Sequence, residues 1–167
     1  MNAETMAAAQ WDTELASLLE ELSAVQQALL DVLQQKRDRM AVGDVEGMAQ
    51  LQPQEEELGR RLEACHERRG QLLQRSQEQG PGAENLGKLA LLAPAGNRDK
   101  MSKQAKEISA RMRLLQHQSL VNWVIAQRSL LHLSQMLEII ATGGRFVPTY
   151  GKGEAYQSRG ALVDEEV

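Results

Sequence analysis

Glu63, Ala64, Cys65 and His66 form a Glu-x-x-His element with a thiol inside it, the place where residue types suggest metal chemistry. A ferritin-like di-metal site uses that element twice and adds two more inward glutamates. The chain contains no second Glu-x-x-His. On a helix Cys65 and His66 would diverge by about 100°, so they are poorly placed to share one metal. His117 and His132 stand fifteen residues apart, roughly 22 Å along a helix, too far to cooperate. No Ser–His–acid constellation, phosphate loop or metal-protease motif occurs, and Gly80-Pro81-Gly82 lacks the Lys-Ser/Thr pair of a phosphate loop and reads as a turn. The expectation is no enzyme, no metal and no cofactor, with His66 on a solvated surface.

What remains is a chain built for packing. It has 167 residues, 25% of them charged and 3% aromatic, and only four prolines. That balance favours helices packed on helices. A net charge of −4 argues against bulk attraction to nucleic acid or an anionic membrane. The single cysteine, Cys65, excludes an internal disulfide and suits a reduced cytoplasm. Met1 to Gln10 lacks the basic start and apolar run of a secretory signal. No apolar run reaches roughly 18 residues, so no stable membrane insertion is expected.

Trp11, Leu15, Leu18, Leu22, Val25, Leu29, Val32 and Lys36 alternate in steps of four and three, an apolar seam on a first helix over 7–42. Gly43 suits its C-cap and Asp44 the N-cap of the next helix. That second helix spans 44–79 through Val45, Met48, Leu51, Leu58, Leu62, Cys65 and Leu72, and Pro53 predicts a kink or fresh start within it. Leu86, Leu89, Leu91 and Leu92 suggest a short helix or packed loop, broken by Pro94-Ala95-Gly96. From Arg98 to Ala141 there is neither Pro nor Gly, which predicts a third helix about 66 Å long. The fold class is all-α: an elongated antiparallel bundle of three long helices, with a short helical or looped connection before the third. Residues 1–141 are the helical domain and 142–167 a flexible tail.

The third helix carries more apolar surface than a small core needs. At about 100° per residue, Leu115, Ala126, Leu130, Leu133, Leu137 and Ile140 fall within about 40° of one line, which reads as the core stripe. Asn122 interrupts it and needs a hydrogen-bond partner if buried. Val121, Ile125, Met136 and Ile139 widen the stripe on one side and Trp123 on the other. Leu120, Val124 and Leu131 lie near the opposite face. Two readings stay open: the helix is sandwiched between the other two, or one stripe is covered only when a partner helix docks. The basic run Arg98 to Arg113 lacks interleaved aromatics and reads as a solvated face paired with the acidic second helix rather than a nucleic-acid site.

The order and spacing of these segments resemble the FlgN-like family of flagellar type III export chaperones. The resemblance covers most of the chain. It is carried by the charged turn Lys36 to Asp44, the pattern Leu51, Glu55, Leu58, Leu62, Arg68-Arg69 and Leu72-Leu73, and above all Asn122 to Leu131 followed by Thr149-Tyr150-Gly151-Lys152-Gly153. The resemblance implies a cytoplasmic, non-enzymatic chaperone. Its clients would be the hook-associated proteins of the hook–filament junction, bound by their C-terminal amphipathic segments and delivered to the flagellar export gate. A self-assembling coiled-coil scaffold is the competing reading.

On this reading Leu120, Trp123, Val124 and Leu131 contact the client, and Phe146 and Tyr150 serve a docking tail that is mobile in the free protein. The resemblance favours a role for Tyr150 at the client or the gate. Trp11 is expected in the core, and Ala161 to Val167 to be disordered.

Overall fold

The computed structural model describes residues 3–79 and 82–143, with side chains described for 11–78 and 82–143. All of its regular structure is helical: α1 Ala3–Ala41, α2 Val45–Gln79, α3 Leu86–Leu91 and α4 Ala95–Thr142. No strand occurs among the described residues. The chain divides into two compact units, Met1–Asn122 and Trp123–Val167.

α1 holds the core of the first unit because it is apolar along three neighbouring columns. Leu15, Leu22 and Leu29 make one, Leu18, Val25 and Val32 the second, and Leu19, Gln26 and Leu33 the third; all nine are buried. The first two are the seam seen in the sequence. The third was missed because Gln26 breaks its apolar character. It is buried because α1 meets two helices rather than one. Gln26 is 1% exposed and its Oε1 accepts no hydrogen bond, a cost of about 1–3 kcal/mol for an enclosed acceptor. Trp11 is half-buried against this core and carries the Arg75 guanidinium 5.5 Å from its ring centre.

α2 returns along α1 and buries Leu51, Leu58, Cys65 and Leu72, one residue per seven. Three ion pairs fix the direction: Lys36–Glu55, Glu21–Arg68 and Glu14–Arg75. As α1 numbers fall, α2 numbers rise, so the two are antiparallel. The pairs are part-exposed, so they set register more than they stabilise. The ion pairing expected between the basic run of α4 and the acidic face of α2 is not formed among the described residues; α2 pairs with α1 instead.

α2 runs unbroken through Pro53, so no fresh start occurs there. Pro53 and Ala49, whose carbonyl loses its helical donor, both lie on the exposed face, where water can satisfy the orphaned oxygen.

The α1–α2 turn is tight. Gly43 adopts φ +71°, and the amides of Gly43 and Asp44 close α1 onto the carbonyls of Met40 and Arg39 at 3.2 and 2.9 Å. Asp44 also caps α2: its Oδ1 accepts from the Gly47 amide at 2.8 Å and its Oδ2 from Arg39 Nη1 at 2.7 Å. A Cβ at Gly47 would collide with the paired Arg39 and Asp44 side chains, so a larger residue there would displace that ion pair.

Beyond α2, the Ser76 hydroxyl accepts the Ala83 amide at 3.2 Å and ties the connection back. Asn85 caps α3 through the Lys88 amide at 2.8 Å. α4 starts at Ala95, three residues before the expected Arg98. The Pro94 carbonyl accepts from the amides of Asn97 and Arg98 at 3.0 and 3.1 Å. Proline lacks a donor but keeps its carbonyl, and a helix start needs only the carbonyl.

α4 runs alongside α1 in the same direction. Asn97 donates to Asp12, Arg111 to Ser23, Arg37 to Asn122, and Asn122 to the Leu33 carbonyl, at sequence offsets of 85, 88, 85 and 89. A nearly constant offset is the mark of a parallel pair. Met101, Ala105, Ile108 and Leu115 are the apolar residues α4 buries in this unit.

The Asp44 carboxyl is held below its ordinary range, first by the Gly47 amide and then by Arg39. A lowered folded pKa contributes stability above the unfolded value and loses it as pH falls through the folded one. Asp44→Ala is therefore expected to lower the melting temperature by a few degrees at pH 7. The gap from the parent should close as pH drops below the usual carboxylate range. A pH series of thermal melts checks this.

Candidate functional site

Burial along α4 stops at Asn122. Leu115 is 6% and Asn122 6% exposed, whereas Leu130 is 64%, Leu137 60% and Ile140 73% exposed. From Trp123 to Gly143 no side chain is buried; only Ile125 and Ala126 are half-covered. The core stripe expected from the sequence is thus corrected: Leu115 is core, but Leu130, Leu133, Leu137 and Ile140 face solvent. So do Met136 and Ile139. The reading in which this stretch is sandwiched between two helices fails for the same reason. Periodicity reports that one face is apolar and says nothing of what covers it.

Asn122 marks the change. Its Nδ2 donates to the Leu33 carbonyl at 2.8 Å, and its Oδ1 accepts from Arg37 Nε at 3.3 Å. The partner that a buried asparagine requires is therefore found, on α1. The link to Arg37 was not legible, because nothing in the sequence relates positions 85 residues apart. Arg37 Nη2 is enclosed there without a partner.

In the second unit the exposed surface has a definite pattern. Trp123, Ala126, Leu130, Leu133, Leu137 and Ile140 follow each other in steps of three and four. That is the seam of a coiled coil with no partner helix on it. From Trp123 to Thr142 it is about 30 Å long at the standard rise. Each exposed Leu or Ile forgoes roughly 1.5–3 kcal/mol that burial would return. Val124 and Leu131, also exposed, lie about 140° round the helix from the centre of that seam, near the opposite face and among Gln127, Gln135 and Glu138. Gly143, at φ +61°, follows Thr142, the last residue of α4.

Of the residues singled out for partner contact, Leu120 is exposed in the first unit, and Trp123, Val124 and Leu131 are exposed in the second. Phe146 and Tyr150 lie outside the described residues, as does the whole expected tail beyond Gly143. Sequence reasoning undervalued Leu130, Leu133, Leu137 and Ile140 as contact residues. Their unbroken three–four spacing was visible, but it was assigned to the core.

The metal candidates do not assemble. Cys65 is buried on the α2 seam, and burial together with Glu21 pushes its thiol pKa up. His66, His117 and His132 are exposed. Among the described residues no three of His, Cys, Asp and Glu gather closely enough to hold a metal ion. No described helix is long and apolar enough to cross a membrane.

The family model described as FlgN protein matches residues 6–160, nearly the whole chain. No curated protein and no solved structure matches it.

Replacing Asn122 by Ala removes two hydrogen bonds and leaves a partly buried guanidinium nitrogen unpaired. A loss of about 1–3 kcal/mol in urea denaturation is expected.

Proposed function

The chain belongs to the FlgN family of flagellar export chaperones, and from that premise we propose that it holds the C-terminal amphipathic segment of a hook-associated protein. It covers the client's apolar face, prevents premature association and delivers the client to the flagellar export gate in the cytoplasm. The observation that carries this reading is the unpartnered three–four seam of α4. An amphipathic helix laid on that seam buries apolar surface on both sides, which is how helix-in-groove recognition gains its affinity. The family is a chaperone family and not an enzymatic one, in keeping with a surface that offers packing rather than chemistry.

Trp123, Leu130, Leu133, Leu137 and Ile140 form the main contact on this reading. Val124 and Leu131, near the opposite face of the helix, are secondary contacts, and Leu120 is a contact of its own in the first unit. Trp123 is the anchor by size and by the aromatic enrichment of binding hot spots. Phe146 and Tyr150 act from the tail, with Tyr150 at the client or the gate. No nucleotide site is needed, since the export machinery strips a client of moderate affinity.

The same seam also suits a second copy of the chain, which is the scaffold reading. Sedimentation separates the two. The chaperone sediments as one species alone and gains the mass of its client when the peptide is added. The scaffold self-associates without any client.

Leu130→Asp with Leu137→Asp is expected to weaken binding of the client's C-terminal segment by at least about tenfold, ~1.4 kcal/mol, with helix content by circular dichroism unchanged. Val124→Asp with Leu131→Asp should do the same to a smaller degree. Tyr150→Ala should leave the melting temperature nearly unchanged and reduce export or client retention; an equal loss of both would place Tyr150 in the packing instead.

A further inference from the structure

In the second unit, Leu130, Leu133, Leu137 and Ile140 leave about 15 Å of apolar helix uncovered. That helix face is nearly uncharged: from Trp123 to Thr142 the chain carries only Arg128 and Glu138, with the imidazole of His132. The chain continues past it. Gly143 turns out of the helix at φ +61°, and Gly144 follows. Two glycines in a row let a backbone double back without a Cβ penalty. Residues 144–167 come after that turn, in the same unit as the seam. An extended chain covers about 3.3 Å per residue, so about five residues retrace the uncovered stretch and the remainder is slack. The aromatic residues are unevenly placed. The only Phe and both Tyr of the chain stand at 146, 150 and 156, beyond the last helix, and the first unit packs without them. Phe146 to Gly151 holds no charge. Pro148 biases Val147 to an extended conformation. Side chains alternate along an extended segment, so Phe146, Pro148 and Tyr150 share one side, about 13 Å from first to last. Segment and seam match in length and in polarity.

We propose that Phe146–Gly151 folds back antiparallel along α4 in the free protein and covers the seam from Ile140 to Leu130. It is a removable cap rather than the free strap that glycine content alone suggests. Gly144 and Arg145 are the whole linker between helix and cap. So short a linker gives the cap an effective concentration on the order of millimolar, against which a second copy at micromolar concentration competes poorly. An extended segment lying on a helix makes no backbone ladder, since the helix has spent its own amides and carbonyls. Side chains alone hold the cap, so it comes off readily. A partner that takes the seam displaces it, and the apparent affinity of that partner falls by the fraction of chains that are capped. Displacement frees Phe146 and Tyr150 for the roles proposed above. The cap rests on the seam and the tail and not on the identity of any client.

The test is disulfide trapping in the full chain with no client present. Ser134 and Gln135 are neighbours along α4, so a loose tail reaches both equally, but Ser134 borders the seam and Gln135 lies on the far face. Both are exposed, and the native Cys65 is buried. Pro148→Cys supplies the tail thiol, level with both positions, and keeps the two aromatics. Under oxidised glutathione, Ser134→Cys with Pro148→Cys is expected to close an intramolecular disulfide at least about tenfold faster than Gln135→Cys with Pro148→Cys. Binding of the dye anilinonaphthalene sulfonate gives a second readout. Phe146→Asp with Tyr150→Asp should bind several-fold more dye than the parent at unchanged helix content. Adding Leu130→Asp and Leu137→Asp should remove that gain. Equal trapping rates at 134 and 135 overturn the proposal. So does a Phe146 and Tyr150 variant that binds no more dye than the parent, or a gain in dye that survives the seam substitutions. Disulfides between chains, forming faster as protein concentration rises, overturn it too, by assigning the seam to a second copy. No client enters the test, so failure of the cap leaves the proposed function standing.

Discussion

The first unit depends on one helix being wet on only a minority of its face. α1 presents three adjacent apolar columns, and a helix packing against a single neighbour needs only about two. The extra column gives α4 somewhere to lie after α2 has taken the rest. Apart from Cys65, the most completely enclosed large side chains all stand on α1. Replacing Leu18 or Val25 therefore empties space that more than one element relies on, whereas replacing Leu51 or Leu58 affects a narrower seam. The polar contacts follow the same arrangement. Ion pairs line the α1–α2 boundary, and neutral or singly charged hydrogen bonds line the α1–α4 boundary.

Asn122 separates two uses of one helix. Before it, α4 buries Met101, Ala105, Ile108 and Leu115; after it, leucines and isoleucines of the same kind remain uncovered. A leucine there would pack as well but would leave Arg37 with no acceptor at its Nε. The asparagine instead satisfies a donor and a carbonyl of α1 together. That fixes the rotation of α4 about its axis at the last buried turn.

Much of this was legible in the chain. The α1 seam followed from four–three spacing, and the Gly43–Asp44 turn from the two residues that such a turn demands. The need of Asn122 for a partner followed from its place in an apolar stripe. Other features were hidden for physical reasons. The third column of α1 contains Gln26, and a polar residue lowers any apolar score. Pro94 looked like a break because its missing donor is obvious, while its available carbonyl is not. The exposed seam of α4 looked like core because a helix that packs within its own fold and one that packs on a partner obey the same spacing rule.

The order of contacts along the chain has a consequence for biosynthesis. α1 meets α2 across a turn of a few residues, but it meets α4 only at separations of 85 to 89. On a ribosome the α1–α2 hairpin can close while α4 is still unmade, since local contacts cost little loop entropy. During that interval the column Leu19, Gln26 and Leu33 stands open to water on a half-finished protein. An all-leucine column would invite two nascent hairpins to zip together. A glutamine at its centre makes that mispairing bury an amide, so the residue least favourable to the finished core protects the unfinished one.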